Sequence, residues 1–199
     1  MDTTVTAGRT AGGDLTAKAR IRNAALELHA AKGSDNTTLR DVASAAGVTS
    51  GLVIHHFGSK DGLRRAVQQY VVDQFRQAVD SVPPVGTPEE IGRARDEAVA
   101  RMWAENPIFV RYLTRAVLEN TGESDLLDLL ADYTFAQLQQ LRAAGIATSA
   151  HTAQTQAVGI LLRELGPRIL QPLVDHFWSR LNAGEPDCAP PRLEVRLRD

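Results

Sequence analysis

The sequence predicts an all-α protein, with an N-terminal three-helix helix-turn-helix domain ahead of a larger helical domain. Three observations point there. Apolar residues recur at three- and four-residue spacing over most of the chain, the period of one helix face, and alternating Val/Ile runs are rare. Ala, Leu, Gln, Arg and Glu, all compatible with helix, dominate the composition. Breaks containing Gly or Pro separate the periodic stretches, at Gly33, Gly47, Gly58, residues 81–88, Asn106-Pro107, Gly122, Gly145 and Gly166-Pro167.

In chain order, residues 1–14 are rich in Gly and Thr and are expected to form a disordered tail. Its Arg9, with Lys18 and Arg20 just beyond, could approach a polyanion. The first helix is expected from about Thr16 to Ala31, burying Ile21, Ala24, Ala25 and Leu28. A second starts at Thr37 or Thr38, whose hydroxyl can accept an otherwise orphan N–H of the opening turn. Leu39, Val42, Ala43 and Ala46 make its apolar face, and Gly47 supplies the left-handed residue that ends it. Thr49 or Ser50 caps the third helix, which carries Leu52, Val53, Ile54, His55, His56 and Phe57 and stops at Gly58. Ser59 caps a fourth, about 20 residues long, with Leu63, Ala66, Val67, Tyr70, Val71 and Phe75 along one stripe.

The stretch SVPPVGTP, residues 81–88, admits no helix interior. A helix restarts at Pro88 with Glu89 and Glu90 in its first turn, where the helix dipole favours anions. The next carries Ile108, Phe109, Tyr112 and Leu113, and Ser124-Asp125 open a longer one reaching Gly145. Two final helices are expected on either side of Gly166-Pro167, both apolar over more than one face. A surface helix of a monomer shows one apolar stripe, so the excess width predicts a second buried surface, a four-helix interface between two copies. Residues 182–191 read as a linker. RLEVRLRD after them alternates with period two, as a short edge strand or an unstructured tail would.

At 199 residues the chain suits one domain or two small ones. No stretch approaches the roughly 18 apolar residues of a membrane span, and the N-terminus lacks the apolar core of a signal peptide. One cysteine, Cys188, excludes an internal disulfide and a cysteine zinc site. A cytoplasmic protein is expected. The formal charge of −2 is uneven: residues 1–66 hold nine Lys and Arg against six Asp and Glu. A positive first third suits a polyanionic partner.

Two short helices joined by a Gly-containing turn are the geometry that seats a second helix in a DNA major groove. The ordered set IRNAALELHAAKG, TTLRDVASAAGVTSG and HHFGSKDGL, from about Ile21 to Leu63, resembles the DNA-binding domain of the TetR family of transcriptional regulators. Two positions depart from that family: Ile54 stands where an aromatic residue, often Tyr, is usual, and His29 where Phe is usual. The resemblance implies a DNA-binding domain over 15–62, a ligand-binding and dimerisation domain over 63–182 and a tail over 183–199. It implies a repressor that binds a palindromic operator as a homodimer through its last two helices and is released by a small-molecule effector.

With Leu52 and Phe57 turned into the core beside Val48, Thr49, Ser50, Val53 and His55 face outward and are expected to read bases, Val53 through a thymine methyl. Thr38 and Arg40, at the positive start of the second helix, suit phosphates. The resemblance adds His56 and Lys60 as backbone contacts. For the effector it suggests Trp103, Phe109, Tyr112, Tyr133 and Gln137, with Arg111 or Arg115 as charge partner. No cofactor and no metal are expected: His55 and His56 are adjacent, about 100° apart on a helix, so they cannot chelate as an i, i+4 pair would. The run GVTSG, residues 47–51, lacks the preceding strand of a nucleophile elbow. Asp125, Asp128 and Asp132 read as a solvated helix face. Two other readings remain open: a regulator without effector, whose second half only dimerises or binds a protein, and a helical-bundle enzyme or carrier of a small apolar compound.

Overall fold

The computed structural model describes residues 7–118, 125–147, 151–182 and 188–197. Among them lie eight α-helices and no strand: α1 (Ala7–Lys32), α2 (Leu39–Ala46), α3 (Ser50–Phe57), α4 (Lys60–Asp80), α5 (Pro88–Glu105), α6 (Pro107–Leu118), α7 (Asp125–Ala143) and α8 (Ala153–Leu181). They form two compact units. One comprises the described residues of Met1–Asp73 and Pro107–Asp125; the other, those of Gln74–Asn106 and Leu126–Asp199.

This division departs from the boundary at residues 62 and 63 suggested by the sequence. In the first unit α6 packs directly on α1, as do α2 and α3. Phe109, on α6, meets the Tyr70 ring edge-on at 5.8 Å, and Tyr112 stacks on His29 at 6.4 Å. Arg115 donates to the Ala30 and Ala31 carbonyls at 3.3 and 3.0 Å, closing acceptors that the end of α1 leaves open. Arg111 pairs with Glu27 at 3.3 Å. The core of this unit is filled by Ile21, Val42, Val53, Leu63, Val67 and Leu113.

Helix α1 begins at Ala7, inside the segment expected to be a tail. No proline interrupts residues 7–32, and a packed helix propagates outward at one hydrogen bond per residue once nucleated. In the second unit, α5 opens on a capping box: Thr87 Oγ1 accepts from Glu90 N–H at 3.3 Å, and the Glu90 carboxylate accepts from Thr87 N–H at 2.8 Å.

The two helices expected around Gly166-Pro167 are one, α8, with Pro167 and Pro172 inside it. Each proline removes one backbone bond and disfavours the helix by about 3 kcal/mol, so tertiary packing must outweigh it. Part of that packing is the segment 188–197, which runs extended along α8 without a strand partner among the described residues. Gln171 donates its amide to the Pro191 carbonyl at 2.9 Å and accepts from Leu193 N–H at 2.8 Å. Trp178 donates to the Cys188 carbonyl at 3.1 Å. Val195 lies over Gly166 so closely that any side chain there would strike it. The period-two pattern of RLEVRLRD thus serves a helix surface: Leu193 and Val195 are half-buried, whereas Arg192, Glu194 and Arg196 are exposed.

Candidate nucleic-acid interface and ligand cavity

Helix α2 starts at a capping box. Thr38 Oγ1 accepts from Asp41 N–H at 3.1 Å, and the Asp41 carboxylate accepts from Thr38 N–H at 3.0 Å. Lys32 also reaches Asp41 at 2.8 Å. That ammonium, with the Thr38 N–H, holds the Asp41 carboxyl down at about 2. Gly47 ends the helix at φ 64°, ψ 41°, a left-handed conformation that costs a side-chain-bearing residue about 1–2 kcal/mol. Thr49 then caps α3 by accepting from Leu52 N–H at 3.3 Å. Gly62, in the first turn of α4, lies against the Phe57 carbonyl, where a Cβ would overlap that oxygen. Glycine is therefore what allows α4 to start this close to the end of α3.

The exposed face of α3 differs from the expected one at its centre. Val53 is fully buried, and Ile54 is 51% exposed. Successive residues turn by about 100°, so with Val53 inward His55 points nearly opposite, with Gly51 beside it and Ile54 farther round on the same side. Leu52 and Phe57, assigned to the core from sequence, are only half-buried. Val53 is therefore removed from base reading and Ile54 joins the outer surface. A helix of eight residues with apolar side chains at Leu52, Val53, Ile54 and Phe57 has no unambiguous phase, and contact with α1 and α2 decides it. The usual family aromatic at the Ile54 position was the available signal, since such a phosphate-contacting side chain must face out.

The remaining DNA candidates keep their surface positions. Thr38, Arg40, Thr49 and His55 are exposed, while Ser50, His56 and Lys60 are half-buried. Lys60 Nζ donates to the Asp35 carbonyl at 2.7 Å, leaving two of its three donors for another acceptor. His56 stands edge-on to both His55 and Phe57, at 5.4 and 6.1 Å. His29, on α1, is buried in the same unit. Its Nδ1 has no hydrogen-bond partner among the described residues, and burial, with Lys60 and Arg64 nearby, lowers its pKa to about 4.

The second unit encloses a cavity of about 260 Å³ between α4, α5, α7 and α8. Its apolar wall includes Phe75, Val79, Val99, Leu138 and Ile160. Of the five effector candidates, Tyr133 and Gln137 line it. Trp103 is buried elsewhere in this unit, with the Arg168 guanidinium 5.6 Å from its ring. Phe109 and Tyr112 are core residues of the first unit, and Arg111 and Arg115 bind α1 there. An apolar periodicity shows that α6 has a buried face but not which core receives it. Sequence reasoning also missed the polar side of the cavity, Arg95, Asp96, Thr134, Arg163 and Glu164, which looks like ordinary helix surface in one dimension.

Comparison with known proteins places the first unit. Residues 21–67 match the family described as bacterial regulatory proteins, tetR family. Over 65 residues the chain is 52% identical to the HTH-type transcriptional regulatory protein RaaS of Mycobacterium tuberculosis, covering 33% of this chain and 30% of RaaS. Over 106 residues it is 31% identical to the HTH-type transcriptional repressor KstR2 of the same species, covering 51% of this chain and 53% of KstR2. The chain thus spans about half the length of these curated relatives or less. In fold it resembles a crystal structure of a tetR family transcription regulator from Shewanella sp. PV-4, with TM-score 0.65 and 19% identity over 84% of this chain and 90% of that one. The capped helix-turn-helix at residues 38–57 thus lies within a segment that matches the tetR family of bacterial regulatory proteins.

Proposed function

We propose that this protein is a cytoplasmic, ligand-responsive transcriptional repressor that binds a palindromic operator as a homodimer and is released by a small molecule. The observation that carries the reading is the outer face of α3. Thr49, Gly51, Ile54 and His55 are exposed on a helix whose inner face is anchored by Val53, beside the exposed Thr38 and Arg40 at the start of α2. Thr49, Ser50 and His55 read base edges, Ile54 offers an apolar contact, and Thr38, Arg40, His56 and Lys60 hold phosphates.

Dimerisation is supported by α8. Val158, Leu162, Leu170, Leu173, Phe177 and Leu181 are all exposed on this single helix, which replaces the pair expected from sequence. A partner copy would bury that stripe and set two recognition helices about 34–36 Å apart, one duplex turn. The cavity of the second unit supports an effector and disfavours a regulator whose second half only dimerises. A ligand then acts by its difference in affinity between the DNA-competent spacing and another.

The test is a gel shift and footprint on the promoter nearest its own gene. A protected palindrome with half-sites one duplex turn apart is expected; absence of retention at low salt rejects the proposal. Among the described residues no helix is long and apolar enough to cross a membrane.

A further inference from the structure

The charged side chains around the cavity pair off until one cation remains. Arg163 binds Asp96 at 3.0 Å, and Arg168 binds Glu164 at 3.3 Å. Arg95, in the same wall, has no carboxylate partner among the described residues, and its Nε is buried without a hydrogen-bond acceptor. Thr134 faces the cavity as well. It is 6% exposed, and its Oγ1 is buried without a hydrogen bond. Two other polar groups of the wall have partners: the Tyr133 hydroxyl donates to Asp80 at 3.0 Å, and the Gln156 carbonyl accepts from Arg142 at 3.1 Å.

Buried polar atoms in folded proteins are nearly always satisfied. Three in this wall lack a hydrogen bond; Glu164 Oε2 has the Arg168 guanidinium at 3.3 Å, so Arg95 Nε and Thr134 Oγ1 are the two that indicate something else satisfies them. A guanidinium can only donate, and a threonine hydroxyl can donate too; the missing group must therefore accept. An anion suits it best, because Arg95, half-buried in this wall, is the one cation there without a carboxylate partner among the described residues. The rest of the wall is apolar, and about 260 Å³ is room for roughly nine groups of water size at about 30 Å³ each.

We infer that this cavity takes a small amphipathic anion, an apolar body of roughly eight to ten carbons bearing one carboxylate or equivalent single acidic group, with the head held by Arg95 and Thr134. This rests on the effector reading above and names the chemistry of that effector.

The experiment is calorimetric titration of the full chain with three probes of equal tail length: octanoate, octan-1-ol and octyltrimethylammonium. Octanoate is expected to bind about 10-fold or more tighter than octanol, the ratio a charge-assisted bond supplies, and the ammonium compound not at all. Arg95→Gln should bring octanoate to within about threefold of octanol, with native tryptophan fluorescence showing that the variant is folded. Thr134→Val should weaken octanoate by a smaller factor. Equal binding of acid and alcohol, an acid preference surviving in Arg95→Gln, or failure of all three probes to bind overturns the inference. A parallel gel shift separates it from the regulator proposal: Arg95-dependent octanoate binding that leaves DNA retention unchanged supports the inference and rejects effector release, whereas a DNA-retaining chain that ignores octanoate rejects the inference alone.

Discussion

In the first unit, Ile21, Val42, Val53, Leu63 and Val67 are each at least 99% buried, and both short helices start on a threonine that accepts a backbone N–H. In the second, Phe75, Val99 and Leu138 border empty space, and Arg95 and Thr134 turn unmatched polar atoms toward it. The first arrangement presents a rigid surface, since every lost contact there is uncompensated. The second leaves stability unclaimed, which a ligand or a partner copy can supply by binding the folded form. The proposed DNA platform and ligand sensor would place opposite demands on packing, and the two units differ in that sense.

The largest effect is expected where the first unit has no slack. Gly62→Ala would drive a methyl into the Phe57 carbonyl, destabilising this unit by about 2–4 kcal/mol and abolishing operator binding. Both tryptophans lie in the second unit, so their fluorescence should stay native while gel shift is lost. Operator binding by a stable Gly62→Ala protein would break the contrast.

Next comes the exposed helix of the second unit. Leu173→Glu with Phe177→Glu alters side chains that are 52% and 59% exposed, so the protomer should fold normally. Light scattering should report a monomer, and operator affinity should fall by about 100-fold as the two half-sites lose their linkage. A dimer that survives both changes would place the interface elsewhere.

The third sharpens the picture of the first unit. His29 is held neutral: its pKa drops from an ordinary 6.5 to about 4 through burial, with Lys60 and Arg64 adding repulsion. Between those values the unfolded chain binds a proton that the folded one refuses. Stability from this residue is therefore complete above about pH 6.5 and falls as pH drops toward 4, by on the order of 3 kcal/mol in all. His29→Phe should flatten the melting temperature across that window. An unchanged pH profile would show that His29 titrates normally.

The smallest effect concerns the cavity. Thr134→Val removes an unpaired hydroxyl at nearly constant shape and should stabilise the ligand-free second unit by about 1 kcal/mol, read by thermal unfolding. A loss of similar size would mean the hydroxyl is already hydrogen-bonded.

The part of this protein legible in one dimension is the part written by local rules. Thr38, Gly47, Thr49 and Gly58 act within three or four residues of themselves, so their caps and stops could be placed from sequence, as could the break at residues 81–88. The phase of α3 could not, because four apolar residues in one short helix suit two rotations and only α1 and α2 choose between them. The same limit moved Phe109 and Tyr112 out of the effector candidates, and it hid the continuity of α8 through Pro167, where a local rule against proline yields to packing from segments far along the chain.

By itself, then, the sequence determined the helical class, the capped helix-turn-helix and the surplus of apolar surface near the C-terminus, since each follows from residue type and spacing alone. Which unit each helix joins, that Val53 turns inward and Ile54 outward, and that Arg95 is the one cavity cation without a carboxylate among the described residues were decided only by the tertiary structure. Those outcomes depend on which surfaces meet, and a meeting between distant segments leaves no period in the chain to read.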